Sequence, residues 1–287
     1  MLNRLPPWFK QEIPEDIGLI RNRLKEYAAL NLDTVCKSAR CPNVNACFSS
    51  RSVTFMILGP SCSRNCGFCA VEKKALRPPD VSEPYNIARS ILRLRARYSV
   101  VTSVTRDDLF LGGVTQFIRT AYSIRSLNPD TKIEFLIPDF AGSLTAFFLI
   151  AKAPVEVIAH NIETVRRLYP YVRPQAKYRR SLEVFVKIKE SGFAGFLKSG
   201  IMLGFGEREE EVIKTIRDLK ESGCDILTLG QYLAPSGRHF PVKEFIAPEK
   251  FEYYRKKALS IGFKSVYSAP LVRSSYKAEE AYLECMI

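Results

Sequence analysis

The chain has 287 residues, of which 46% are hydrophobic and 25% charged, and its formal net charge is +13 at pH 7. This length suits a single α/β barrel, and the hydrophobic content is ample for a large core. No run of about eighteen uninterrupted apolar residues is present, and the first residues lack the apolar core of a signal peptide, so we expect a cytoplasmic protein with no membrane contact. Eight cysteines in such a chain indicate metal binding or catalysis rather than disulfides.

The positive charge predicts an acidic partner, which could be a nucleic acid, an anionic membrane face or an acidic protein. The densest basic stretch spans 166–180 and is interrupted by tyrosines rather than by acids. Its basic residues are Arg166, Arg167, Arg173, Lys177, Arg179 and Arg180. Basic residues interleaved with tyrosine are also typical of RNA-binding surfaces, so charge alone leaves the partner open.

Residues 1–50 are expected to form an extension before the main domain. Prolines near the start argue against an early regular element, and the apolar spacing within 16–30 predicts one helix. Cys36, Cys41 and Cys47 follow this helix closely. The chain has two cysteine triplets, and these three residues are called the second triplet below. No fourth cysteine lies nearby, so they could hold an iron–sulfur cluster, a zinc ion or neither.

From residue 51 onwards, apolar runs alternate with helical patterns, which is typical of a parallel sheet. Six strands are predicted, at about 54–59, 99–105, 132–138, 155–160, 198–204 and 225–231. Ser82 is a candidate helix cap, and a helix is predicted over 248–261. We therefore predict an α/β fold, a partial (β/α)6 TIM-type barrel over 51–235. The extensions over 1–50 and 236–287 would cover its open end.

The most informative motif is Cys62-x3-Cys66-x2-Cys69, directly after the first strand of the barrel. Three thiolates within eight positions can bind one metal centre, and sulfur ligands suit an iron–sulfur cluster or zinc. Zinc requires a fourth ligand, and the chain has only two histidines. The motif therefore favours a four-iron cluster with one iron left open for a small molecule.

Polar residues follow several of the predicted strands, where the sites of α/β barrels lie. They are Thr105 and Asp107 after the second strand, Asn161 and Glu163 after the fourth, and Gly204 and Glu207 after the fifth. An amide and a carboxylate two positions apart can bind the two hydroxyls of a ribose. Helix caps, ion pairs and a tight turn explain the same residues equally well.

The C-terminal region ends in Arg273-Ser274-Ser275-Tyr276, which by itself reads as a surface turn. Cys224 and Cys285 lie away from the expected ligand loops, and we expect neither to bind metal.

The motif Cys62-x3-Cys66-x2-Cys69, with Phe68 just before its last cysteine, resembles the signature of radical S-adenosylmethionine enzymes. In that superfamily the cluster binds S-adenosylmethionine and, when reduced, cleaves it to a 5′-deoxyadenosyl radical. The second triplet and the Arg-Ser-Ser-Tyr motif narrow the resemblance to the lipoyl synthase family over nearly the whole chain.

The resemblance implies two four-iron, four-sulfur clusters and S-adenosylmethionine as cofactors. Cys62, Cys66 and Cys69 would hold the radical-generating cluster. The ligands of the sacrificial auxiliary cluster would be Cys36, Cys41, Cys47 and Ser275. Contacts to S-adenosylmethionine would come from Phe68, Thr105, Asp107, Asn161, Glu163, Gly204 and Glu207.

The implied reaction is insertion of two sulfur atoms at C6 and C8 of an octanoyl chain on a lysine of an acidic lipoyl-carrier domain, such as the glycine-cleavage H protein or a 2-oxoacid dehydrogenase E2. Ferredoxin or flavodoxin would supply electrons, and no nucleic acid or membrane is expected to take part. Two alternatives remain at this point. One is another sulfur-inserting radical enzyme of the biotin synthase or methylthiotransferase kind, and the other is a basic metal protein that binds RNA without catalysis.

Overall fold

The computed structural model describes residues 5–10, 18, 33–34, 43 and 54–287. The predicted helix over 16–30 and the triplet Cys36, Cys41 and Cys47 lie outside the described residues. The strands are β1 (Asp33–Thr34), β2 (Thr54–Ile57), β3 (Tyr98–Ser103), β4 (Lys132–Leu136), β5 (Val157–Ala159), β6 (Phe196–Leu203), β7 (Ile226–Gln231) and β8 (Ser265–Ser268). The α-helices are α1 (Glu83–Leu94), α2 (Val114–Leu127), α3 (Leu144–Ala151), α4 (Tyr169–Val172), α5 (Tyr178–Glu190), α6 (Glu209–Glu221), α7 (Pro248–Ile261) and α8 (Ala278–Glu284).

The strands form one sheet in the order β1 to β8, in which β2 to β8 are parallel and the short β1 pairs antiparallel with β2. All six predicted strands are present, with helices between them, so the predicted α/β partial barrel is confirmed. A seventh parallel strand, β8, lies in the segment expected to be an extension. Within the described part of the chain the two ends of the sheet do not pair, and the barrel is open.

The strand sequences explain their positions, because parallel strands covered on both faces are continuously apolar rather than alternating. Strands β2 and β7 are buried along their whole length. Helix α1 instead has the helical period, with Ile87 and Ile91 fully buried on one face. Ser82 does precede this helix, but its hydroxyl bonds Asp80 at 2.7 Å instead of capping the helix.

The C-terminal region contacts both ends of the barrel. Helix α7 has the bounds that the sequence predicts. Helix α8 lies across the amino-terminal ends of the strands, where the ring of Tyr282 contacts Tyr98 and Phe196 at 5.9 and 6.0 Å. Between β8 and α8, the residues around Ser275 line a cavity at the opposite end.

A buried ion pair fills the barrel interior toward its amino-terminal end. Lys198 is fully buried, and its Nζ lies 2.9 Å from both carboxylate oxygens of Glu134, which also accept a hydrogen bond from Tyr98. The charges satisfy each other, as a buried pair requires. No helix in the described part of the chain is long and apolar enough to cross a membrane.

Candidate functional site

A cavity of about 540 Å³ opens among the carboxyl ends of the strands. Its floor is formed by side chains that point into the barrel, and its lining is mostly apolar. The floor residues include Met56, Thr102, Leu136, Met202 and Thr228. This is the end at which α/β barrels carry their sites.

Most of the predicted site residues in the described part of the chain line this one cavity. They are Cys62, Cys66, Phe68, Cys69, Thr105, Asn161, Glu163 and Ser275. Asp107, Gly204 and Glu207 lie behind the wall rather than in it, and their contacts are described below.

The three cysteines lie in a loop that leaves β2 through a tight turn. Leu58 and Gly59 both have positive φ, of 69° and 82°, and only glycine adopts such values without strain. The loop then folds back on itself, because the Cys62 amide donates to Glu72 O at 3.1 Å and the Cys69 amide to Cys66 O at 3.2 Å. Local backbone bonds thus bring all three thiols to the cavity.

Among the described residues, no group of three or more His, Cys, Asp and Glu is placed to hold a single metal ion. In a cubane cluster each cysteine binds its own iron, so the thiols need not converge on one point. Burial raises the pKa of Cys66, and it raises the pKa of Cys69 to about 11. A bound metal would favour the thiolates through its positive charge.

Arg64, between the first two cysteines, anchors the loop to the barrel. Its guanidinium bonds both carboxylate oxygens of Asp107, at 2.7 and 2.8 Å, and Asp139 at 2.6 Å. Burial acts to lower the pKa of Arg64, but its hydrogen bonds to the two carboxylates outweigh burial and raise it. Asp107 also accepts a hydrogen bond from Ser63, so it holds the cysteine loop from behind.

The other side of the loop is held by two further segments. The Gly67 amide donates to Val172 O at 2.9 Å, and the Phe240 amide donates to Gly67 O at 2.8 Å. The ring of Phe68 packs edge-on against Phe205 at 6.5 Å. The loop is therefore fixed on both sides.

A polar cluster follows β5 on the cavity wall. Beyond the end of β5, Glu163 forms an isolated parallel bridge with Ile201, with backbone hydrogen bonds of 2.9 Å to Gly200 and 2.8 Å from Met202, yet its φ is +66°. A glutamate held in this region stores backbone strain, which is typical of functional sites. Burial raises the pKa of Glu163, against the opposing effects of Arg173 and Asn161.

Arg173 is a residue of this cluster that sequence reasoning missed, because it lies in a stretch that reads as basic surface. Its Nη1 donates to Asn161 O at 2.9 Å and to Tyr169 Oη at 3.1 Å. Its Nε is buried and has no hydrogen-bond partner among the described residues. A cation at the cavity wall with a spare donor is suited to an anionic ligand.

The two serines of the C-terminal motif have different environments. Ser274 donates a hydrogen bond of 2.6 Å to Asn161 Oδ1. Ser275 also lines the cavity, but its hydroxyl has no hydrogen-bond partner in the part of the chain that the structure describes. Just before them, Leu271 O accepts a bond of 2.5 Å from Asn43, a residue between Cys41 and Cys47 in the sequence.

Gly204 and Glu207 form a turn that supports the wall. Glu207 accepts hydrogen bonds from the amides of Gly204 and Phe205, at 2.5 and 2.9 Å. A Cβ at Gly204 would lie 2.6 Å from Glu244 O, so no side chain fits there. The turn places Phe205 in a stack with Tyr232, which lines the cavity, with ring centroids 4.2 Å apart.

The basic stretch over 166–180 is less of a free surface than its sequence suggests. Arg167 pairs with Glu211 at 2.7 Å, Arg180 lies 3.5 Å from Asp139, and Arg173 belongs to the cavity wall. The exposed basic residues that remain are Arg166, Lys177 and Arg179.

Comparison with known proteins adds independent information. The family profile described as the radical SAM superfamily matches residues 56–219. Lipoyl synthase of Alkaliphilus metalliredigens is 48% identical over 98% of this chain and 96% of its own length. Lipoyl synthase of Caldanaerobacter subterraneus is 49% identical over 97% of both chains, and that of Flavobacterium johnsoniae is 48% identical over 97% of this chain and 96% of its own.

Solved structures share the fold at low sequence identity. Methylornithine synthase superposes with a TM-score of 0.55 at 14% identity, over 75% of this chain and 71% of that one. The Streptococcus suis protein SuiB bound to S-adenosylmethionine superposes with a TM-score of 0.61 at 12% identity, over 88% of this chain and 60% of that one.

Proposed function

The chain belongs to the lipoyl synthase family of radical SAM enzymes, and we propose that it inserts sulfur at C6 and C8 of an octanoyl chain borne on a lysine of a carrier domain. The observation that carries this is the convergence of the cysteine loop, the polar cluster after β5 and Ser275 on one cavity. When bound, the clusters and S-adenosylmethionine supply the radical and the sulfur, because no side chain can attack an unactivated C–H bond.

Cys62, Cys66 and Cys69 would hold the radical-generating cluster at the cavity. The loop that carries them is held by backbone bonds on one side and by Arg64 on the other. A ligand set that is fixed before the metal arrives loses little conformational freedom on binding.

S-adenosylmethionine would bind across the wall next to this cluster. Asn161 and Glu163 offer an amide and a carboxyl group to the two ribose hydroxyls, and Arg173 offers a spare N–H to the carboxylate. Phe68 and Thr105 would contact the ligand directly, since both line the cavity. Asp107, Gly204 and Glu207 would act through the structures they hold, namely the ligand loop and the Phe205 turn.

Cys36, Cys41, Cys47 and Ser275 would hold the auxiliary cluster, which makes two clusters in all. One contact and one missing competitor support this assignment. The bond between Asn43 and Leu271 joins the segment of this triplet to the C-terminal segment, and Ser275, unlike Ser274, has no hydrogen bond to the described residues that would compete with a metal. A bound cation lowers the proton affinity of an oxygen ligand, as a serine ligand needs.

The octanoyl chain would occupy the apolar part of the cavity, between the two clusters. Its carrier would be an acidic lipoyl domain of an H protein or an E2 subunit, attracted by the exposed charges of Arg166, Lys177 and Arg179. A ferredoxin or flavodoxin would supply electrons from the cytoplasm.

Mass analysis of an octanoylated lipoyl-domain peptide tests this function, after anaerobic incubation with the reconstituted protein, S-adenosylmethionine and a reductant. We expect the masses of one and then two inserted sulfur atoms. Cleavage of S-adenosylmethionine with an unmodified peptide would point instead to another radical SAM reaction, and no cleavage at all would overturn the assignment.

Variants separate the proposed roles of the two triplets. Alanine at Cys62, Cys66 and Cys69 should abolish cleavage of S-adenosylmethionine, whereas alanine at Cys36, Cys41 and Cys47 should leave cleavage measurable and stop sulfur insertion. Ser275→Ala should behave like the second set. The buried thiols Cys224 and Cys285 provide matched controls, since both lie outside the cavity.

A further inference from the structure

The hydrogen bond between Ser274 and Asn161 joins two parts of the chain with different proposed tasks. Ser274 belongs to the C-terminal segment that carries Ser275, and Asn161 follows β5 at the proposed ribose site. The two residues are 113 positions apart, and their side chains meet at 2.6 Å beside the cavity. This contact is not needed to explain either cluster.

The neighbours of Asn161 determine the orientation of its amide group. The Oδ1 of the Asn161 side chain lies 2.6 Å from the Ser274 hydroxyl. An amide oxygen can only accept a hydrogen bond, so the Ser274 hydroxyl donates to it. A hydroxyl can either donate or accept, but with this geometry only donation satisfies both partners.

The Ser274 hydroxyl holds the Asn161 side-chain amide in its orientation. A Cβ on Gly200 would lie 2.8 Å from Asn161 Oδ1, so the amide rests directly on bare backbone. The backbone oxygen of Asn161 is already held by Arg173 at 2.9 Å. Without the Ser274 hydroxyl, the side chain keeps its floor but loses the partner of its Oδ1.

We propose that Ser274 is a positioning residue for S-adenosylmethionine, which orients the Asn161 amide toward the ribose and so makes cofactor affinity depend on the C-terminal segment. This rests on the proposed function, since it assumes that S-adenosylmethionine binds in this cavity. The same segment is tied through Leu271 to Asn43, within the second triplet. The auxiliary-cluster segment and the ribose site are thus joined by one hydroxyl.

The dissociation constant for S-adenosylmethionine, measured by anaerobic equilibrium dialysis on cluster-loaded protein, tests the proposal without turnover. Ser274→Ala should weaken binding about fivefold, the effect of one hydrogen bond. The same variant should cleave the cofactor at a saturating concentration within about twofold of the wild-type rate, so that KM changes and kcat does not. Ser274→Thr keeps a hydroxyl and should bind S-adenosylmethionine within about twofold of wild type. Ser274→Val has the shape of the threonine variant but no hydroxyl, so it should lose as much affinity as Ser274→Ala.

Two comparisons separate positioning from a general structural effect. Ser268→Ala removes a similar hydroxyl bond, of 2.7 Å to Phe251 O, outside the cavity, and should leave affinity within about twofold of wild type. In an Asn161→Ala background, Ser274→Ala should cause no further loss, because its effect passes through that amide.

The outcomes are distinct. If Ser274→Ala and Ser274→Val bind as tightly as wild type, or if Ser274→Ala weakens binding equally in the Asn161→Ala background, the proposal is overturned while the proposed function stands. If wild-type protein with full iron content does not bind S-adenosylmethionine, the proposed function fails and this inference fails with it.

Discussion

Replacing Arg64 should test how strongly the cysteine loop is fastened to the barrel. Its guanidinium is 5% exposed and bonds both Asp107 and Asp139, and the side chain of Asp139 is fully buried. Burial acts to raise the pKa of Asp139, but the hydrogen bond from Arg64 prevails and lowers it to about 2. Arg64→Met therefore leaves a buried carboxylate whose remaining partners, Arg180 at 3.5 Å and the Ala141 amide at 3.2 Å, compensate it only in part.

The environments of the two carboxylates set the expected magnitudes. Removing one partner of a buried pair costs about 3 kcal/mol, which we expect for Arg64→Met. Asp107 is 36% exposed and can recover water, so Asp107→Asn should cost about 1 kcal/mol. Asp139→Asn should fall between the two. Adding Asp139→Asn to Arg64→Met should cost less than the sum of the single changes, because it removes the carboxylate left unpaired.

The free energy of unfolding from urea titrations and the iron content after anaerobic reconstitution measure these effects. We expect iron content to fall with Arg64→Met, since the residue lies between Cys62 and Cys66. Arg255→Met is the matched control, because its partner Glu252 is 43% exposed and such surface pairs contribute little to stability. Additive losses in the double variant, or an Asp107→Asn cost equal to that of Arg64→Met, would refute the reasoning.

Three further predictions concern other parts of the molecule. Burial lowers the pKa of His160 to about 4, below its value in the unfolded chain. The unfolding free energy should therefore fall by roughly 1 kcal/mol per pH unit as the pH drops from about 6 to 4. In urea titrations His160→Asn should show a weaker dependence of this free energy on pH, and an equal dependence would contradict the burial argument. Gly204→Ala should cost about 3 kcal/mol and Gly206→Ala only about 1, because both have positive φ but a Cβ meets backbone only at Gly204; the reverse order in thermal unfolding would be incompatible with the turn described. The double variant Lys177→Glu, Arg179→Glu should weaken carrier binding severalfold at low salt. The loss should be much smaller at high salt, because salt screens exposed charges over roughly 8 Å at physiological ionic strength and over less above it. An unchanged dissociation constant at low salt, measured by titration calorimetry, would exclude this surface.

Hydrophobic pattern was sufficient to predict the strands but not their number. Each of the six predicted strands contains a short apolar run bounded by loop or turn residues, which favours a strand over a helix. Strand β8 is as long as β2, but two of its four residues are only partly buried whereas β2 is buried throughout, so its sequence carries less of the continuous apolar signal. Its place in the sheet comes from pairing with β7, which is a tertiary contact.

The position of Cys62, Cys66 and Cys69 at one cavity was the predictable part of the site, because their spacing brings the thiols together. Arg173 was not predictable in the same way. Arg173 is one of several arginines in a basic stretch. Its position at the cavity wall depends on stacking over Tyr169 and on hydrogen bonds to the chain after β5. Sequence records the presence of the charge but not the packing that removes it from solvent.

Packing also limits which basic residues of 166–180 can meet a carrier domain. The sequence offers six basic residues in this stretch, and from the sequence alone the charge reversal of Arg179 and Arg180 together is a natural test of docking. Arg180, however, faces Asp139, which also binds Arg64 in the cysteine loop. Reversing Arg180 would place a negative charge beside that buried carboxylate and disturb the cysteine loop, so a loss of activity would not identify the docking surface. Lys177 and Arg179 are exposed and free of this connection, and a salt-dependent loss of affinity in their variants can therefore be assigned to the carrier.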